Sequence, residues 1–145
     1  MNRWRVALLL LLALVPACRI EDHTPAGSRR DEAIVREVVI EFFQARASRD
    51  WPGLKELFEP GATLEGTLSP EQYVSQLGAQ PGGGPPGDRV LRADYRQMAD
   101  LASAWLLVRP EGGAPMAYYF LLHRTGRTWR IRHVASTTIP SGAEP

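Results

Sequence analysis

The stretch RTGRTWRIRHVAST, Arg124 to Thr137, decides how the second half of this chain is read. Thr-Gly-Arg at its start is tight-turn chemistry, with a glycine free to take the positive φ that a two-residue hairpin turn requires. Beyond the turn, Thr128–Thr137 alternates. Trp129, Ile131, His133 and Ala135 fall on one face, and Arg130, Arg132 and Val134 on the other. The apolar face is expected to turn inward and to carry His133 with it.

Working outward, Met116–Arg124 supplies the partner strand, although periodicity alone does not say which of its faces is inside. Two further runs of strand length, Arg89–Gln97 and Ala102–Arg109, precede it, separated by MADL and PEGGA. The C-terminal half therefore reads as a four-strand antiparallel meander.

The N-terminal half has the other period. Ile34, Val38 and Phe42 recur every four residues with Val35, Val39 and Phe43 beside them, while Arg36, Glu37 and Glu41 fall elsewhere. This predicts an amphipathic helix from Asp31 to Ser48, opened by Ser28-x-x-Asp31. Asp50 caps a second, shorter helix in WPGLKELFEP, with Leu54, Leu57 and Phe58 on one side, and ATLEG is a short strand. Ser69, Pro70 and Gln72 form an N-cap, first-position proline and capping-box set that predicts a third helix from Pro70 to Leu77. Ala79–Asp88 holds four glycines and three prolines in ten residues, and is read as a loop that forms a mobile lid or a pocket rim.

The one cysteine of the 145-residue chain, Cys18, ends LALVPAC, Leu12 to Cys18. Arg3 and Arg5 precede ten unbroken apolar residues, Val6 to Val15, which is short of the ~20 a spanning helix needs. The segment resembles a bacterial lipoprotein signal. That resemblance implies a signal peptide over 1–17, acylation of Cys18, a flexible tether over 18–30, a domain over 31–139 and a disordered tail over 140–145. It also implies a lipid anchor in the inner or outer membrane of a bacterial cell envelope, with the outer favoured because Arg19 is not the retention-type Asp. The alternative is an ordinary signal peptide that leaves a stray thiol. Loss of Arg3 and Arg5 takes 17 basic side chains to 15 against 16 acidic ones. A near-neutral chain of this kind lacks the basic excess of a nucleic-acid binder. His23, His123 and His133 have no metal-ligand spacing, no phosphate loop or nucleophile elbow appears, and no cofactor is expected.

Helices followed by a meander make an α+β fold. With FFQARASRDWPGLKELFEPGATLEG, MADLASAWLLV and RTGRTWRIRHVAST in this order, the chain resembles the NTF2-like (SnoaL-like) superfamily. The resemblance implies a cone: three N-terminal helices packed on a curved antiparallel sheet, a pocket at the open end, and homodimers through the sheet face. It covers Asp31 to Thr138. It also places Phe42 and Gly66 where the steroid-isomerase branch has its Tyr and Asp, so that chemistry is not expected here. Glu65 stands next to Gly66, but a one-residue shift along a strand sends a side chain to the opposite face.

The expected pocket set is Phe42, Trp105, Tyr119 and His133, with Tyr73 as an outlying member. Arg92, Arg96, Arg130 and Arg132 are expected to face outward as a basic patch. The function this implies is a membrane-anchored, non-catalytic domain that binds a small apolar ligand or a protein partner. The alternative is an isomerase, dehydratase or hydrolase that uses a histidine in the cone.

Overall fold

The computed structural model describes residues 26–80 and 88–140, so Cys18, the expected signal peptide and the tail beyond Pro140 lie outside the described residues. The elements run α1 (Ala26–Ser48), α2 (Trp51–Glu56), β1 (Phe58–Leu64), α3 (Pro70–Ala79), β2 (Arg89–Met98), β3 (Leu101–Arg109), β4 (Met116–Thr125) and β5 (Thr128–Thr138). One five-stranded sheet has the order β1-β5-β4-β3-β2. The meander is antiparallel as expected. β1 adds to its far edge parallel to β5, so the sheet is mixed rather than purely antiparallel.

Local chemistry accounts for the elements. α1 buries Val35, Val38, Val39 and Phe42, the stripe that the four-residue spacing predicts. It begins at Ala26 rather than Asp31 and takes up the last residues of the expected tether. Ser28 therefore falls inside the helix and not at its start, and the good helix formers Arg29 and Arg30 continue it into the apolar stripe. Asp50 caps α2 by accepting from the Gly53 amide at 3.0 Å. A Cβ at Gly53 would stand 2.3 Å from Asp50 Oδ2, so a larger residue there would push the capping carboxylate aside. α2 ends at Glu56, and Phe58 opens β1 instead of extending the helix. At α3 the capping box is complete: Ser69 Oγ accepts from Gln72 N at 3.3 Å, and Ser69 N donates to Gln72 Oε1 at 2.9 Å.

The core lies between α1 and the inner face of the sheet. Ala102, Ala104, Leu106 and Val108 of β3, Tyr118, Phe120 and Leu122 of β4, and Trp129, Ile131 and Val134 of β5 are all buried there. Gly126 takes φ 65° in the two-residue turn between β4 and β5, whose flanking threonines, Thr125 and Thr128, pair. Arg124 ties α1 to the sheet, reaching Asp31 at 2.9 Å and Asp100 at 2.8 Å.

Register in β5 departs from simple alternation. Leu122 pairs with Ile131, but Leu121 pairs with His133, so Arg132 is an extra residue. This bulge resets the pleat. Trp129 and Ile131 point inward before it and Val134 after it, which turns His133 and Ala135 outward. β1 also shifts register, between Phe58 and Thr63.

Candidate functional site at the mouth of the cone

The interior that was expected to hold an apolar ligand is filled. Phe42 is fully buried and meets Phe120 edge-on at 5.0 Å, Phe43 at 5.3 Å and Phe58 at 6.3 Å. Tyr73 stacks on it at 6.4 Å. Phe42 is therefore a core residue and not a pocket wall.

The other expected pocket residues are on the outer face. Trp105 pairs with Tyr119, and Tyr119 with Ala135, across β3, β4 and β5. Tyr119 is 43% exposed. His133 Nδ1 lies 3.3 Å from Thr63 Oγ1 on the same outer face. The expectation that Trp105, Tyr119 and His133 line the cone is corrected by the β5 bulge and by the buried positions that alternate with them on β3 and β4.

The four arginines do face outward, but not as one patch. Arg92 and Arg96 stand on β2 and Arg130 and Arg132 on β5, with β3 and β4 between them. Arg96 is 3.7 Å from Asp94, and Arg92 lies over the Trp105 ring at 6.0 Å.

The opening sits at the end of the cone. A cleft of about 320 Å³ is bounded by Arg46 of α1, Glu65 after β1, Tyr73, Gln76 and Leu77 of α3 with Gln80 beyond it, Met116 and Tyr118 of β4, and Ser136 of β5. Its cation is Arg46, which donates from Nη1 to the Tyr118 hydroxyl at 3.1 Å. The guanidinium also lies 5.4 Å from the Phe42 ring centre and 5.7 Å from that of Tyr118. Burial works against its charge. The neighbouring Tyr73 and Tyr118 phenols, the hydrogen bond to Tyr118 and the Asp88 carboxylate more than offset this, and its pKa moves up. Among the described residues, no carboxylate is close enough to form an ion pair with it.

Glu65 reaches the cleft by an exception to strand geometry. It adopts φ 46°, left-handed for a non-glycine residue, directly after Leu64. Its amide donates to Val134 O at 2.7 Å, and its carboxylate accepts from Ser136 N at 3.0 Å and Ser136 Oγ at 2.7 Å. Those bonds hold a conformation that costs on the order of 1 kcal/mol or more. Asp88 contributes a buried carboxylate oxygen, Oδ1, with no hydrogen-bond partner among the described residues, and burial raises its pKa against the pull of Arg46.

Tyr73 is 5% exposed, and burial pushes its hydroxyl up to about 12; Arg46 opposes the shift, and Glu65 and Tyr118 add to it. The folded value exceeds the ordinary value near 10, so the stability linked to this proton is fully present below pH 10 and is lost as the pH rises through 12. Denaturant titrations from pH 9 to pH 12 will show a loss of roughly 2–3 kcal/mol from this group. That component will be missing in Tyr73→Phe, and an unchanged slope in the variant would remove Tyr73 as its source.

Sequence reasoning missed Arg46 and set Glu65 aside on strand alternation. Arg46 could have been found as a cation four residues beyond Phe42, on the apolar stripe of α1. Glu65 could not, because its position depends on a left-handed backbone. Among the described residues no cluster of three or more His, Cys, Asp or Glu could hold a metal, and no helix is long and apolar enough to cross a membrane.

Helices closing one face of this curved sheet, with a mouth at one end, define the NTF2-like (cystatin-like) fold, and solved structures share it. The chain is similar to an NTF2-like protein of unknown function from Pseudomonas putida KT2440, with TM-score 0.65, 17% identity, and 80% of this chain and 92% of that chain covered. An NTF2-like protein of unknown function from Shewanella baltica OS155 gives 0.64 at 18% identity, covering 78% and 97%. An uncharacterized protein with a cystatin-like fold from Caulobacter vibrioides gives 0.60 at 14% identity, covering 77% and 91%. No family model and no curated protein matches the sequence.

Proposed function

We propose that this chain is a lipid-anchored binding protein of the bacterial cell envelope, whose NTF2-like domain holds a small carboxylate-bearing molecule at the cone mouth without turning it over. The observation that carries this reading is the Arg46 charge, partly withdrawn from water and, among the described residues, with no carboxylate in ion-pair contact, Asp88 acting on it only from farther off. A cation in that setting gains most from an anion that replaces its lost hydration. Tyr118, Gln76, Gln80 and Ser136 add polar groups around it, and Leu77 and Met116 give the ligand's body an apolar wall. A binding role is favoured over a catalytic one because the carboxylate of Glu65, the acid that lines the cleft, is held by two donors of Ser136.

The anchor rests on LALVPAC and the isolated Cys18, which favour acylation and, with Arg19 following, the outer membrane. A homodimer through the outer sheet face is supported by the exposed apolar side chains there: Met98 at 77%, Leu101 at 40%, and Tyr119 beside Trp105. A patch of this kind favours association. Sedimentation equilibrium is expected to give twice the chain mass, and Tyr119→Glu to give monomers; a monomeric parent protein would remove the dimer.

The reading is tested by calorimetry of the full chain in detergent with benzoate as probe, and by native mass spectrometry after incubation with an envelope extract. Saturable benzoate binding, or an added mass displaced by benzoate, is the expected result. Absence of both would sink it.

A further inference from the structure

A second cleft, on the outer face and across the sheet from the mouth, carries a separate set of groups. It has a volume of about 480 Å³ and is lined by Glu59, Pro60, His123, Thr125, Thr128 and Arg130. The irregular register of β1 lets Glu59 reach past β5, so that its Oε2 lies 2.9 Å from Nδ1 of His123 on β4. The Glu59 side chain is only 18% exposed and that of His123 33%, so the pair is set into the surface rather than waving above it. Engagement of Nδ1 fixes the ring and leaves Nε2 as the nitrogen available to the cleft, with no partner among the described residues.

The charges around the ring are unequal. Arg130, paired opposite His123 in the β4–β5 ladder, and Arg132, 3.9 Å from Glu59 Oε1, face a single carboxylate. The adjoining groove, which Arg127 shares with Thr128 and Arg130, also carries Lys55 and the carboxylates of Glu41, Glu56 and Glu71, so the cationic excess is confined to the cleft itself. On the β3 side the neighbour of His123 is the uncharged Leu101, and the nearby Asp100 is taken up by Arg124. Glu59 is held between His123 and Arg132, which leaves Arg130 without an acidic partner among the described residues.

We propose that this cleft binds a phosphate oxyanion, with Arg130 supplying the guanidinium fork, His123 an Nε2–H donor when protonated, and Thr125 and Thr128 their hydroxyls. A guanidinium and a hydroxyl pair suit the tetrahedral oxygens of a phosphate group. Glu59 serves as a positioning residue that orients the imidazole. The same chemistry is presented by free phosphate and by a phosphomonoester headgroup at a bilayer.

The test is an amide and imidazole ¹⁵N NMR titration of the full chain in detergent with inorganic phosphate, and flotation with phosphatidylcholine vesicles with and without phosphatidic acid. Saturable shifts at Thr125, Thr128 and His123 Nε2 at pH 6 are expected. His123→Gln and Arg130→Gln should each weaken binding at least roughly tenfold, while Arg96→Gln, on the far edge of the sheet, leaves it unchanged. Binding in the phosphate arm assigns a soluble ligand. Binding strengthened only in the phosphatidic acid arm, and lost in Arg130→Gln, assigns a headgroup. No saturable shift and no lipid dependence overturns the proposal, as does equal loss in Arg96→Gln, which would reveal nonspecific charge attraction.

Discussion

Phe42→Ala will lower the stability of the domain by about 3–5 kcal/mol, the range for removing a fully buried aromatic ring from a packed core. The ring is 0% exposed and is surrounded by Phe43, Phe58, Tyr73 and Phe120, drawn from α1, β1, α3 and β4. Each edge-on or stacked pair adds to the area term, and one substitution removes all of them. The void would lie where four elements converge, so collapse of any one wall pulls on the others. A thermal melt followed by circular dichroism should fall by about 15 °C or more for a domain of this size. Ile40→Ala, at a position 46% exposed on the same helix, should change little. A shift of only a few degrees for Phe42→Ala would mean that the aromatic cluster is not what closes the cone.

Arg46→Gln will weaken carboxylate binding at the mouth by roughly 30- to 5000-fold, the range for removing one partner of a desolvated charge pair, about 2–5 kcal/mol. The glutamine retains hydrogen-bonding capacity and much of the stem, so the fold should persist, with a small loss from the Tyr118 hydrogen bond and the ring contacts. Arg46→Lys separates charge from shape. An ammonium keeps the charge but lacks the planar fork that can donate to Tyr118 and to a carboxylate together, and an intermediate loss is expected. Benzoate calorimetry on the three proteins checks this order. Equal affinities would show that the anion sits elsewhere.

Much of the architecture could be read directly from the residues. The α1 stripe, the Asp50 and Ser69 caps and the Thr-Gly-Arg turn act over a few residues, and local chemistry determines them. The pairing of β1 with β5 was not visible, since it joins segments roughly seventy residues apart. The candidate site was less legible than the fold for the same reason. Two-residue alternation assigned His133 to the inside, and it holds only until a bulge intervenes; whether a bulge forms at Arg132 depends on how β4 and β1 grip β5 from either side. Glu65 was set aside on the same alternation, and a left-handed backbone held by Ser136 overrode it. The donor-rich mouth depends on which side chains converge from five elements, and no single stretch of sequence contains that information.

The extra residue at Arg132 sets a reading frame in space for everything that follows it in β5. Pair β5 with β4 without that bulge, every residue kept, and the strand's lettering inverts beyond Ile131. His133 and Ala135 would be pushed into hydrocarbon, Val134 would face water, and Ser136 would swing away from the Glu65 carboxylate it anchors. One change of pairing, with no change in sequence, would both unseat the core and dismantle the acidic wall of the mouth. The register of β5 is therefore as much a part of the mouth as the identity of its residues.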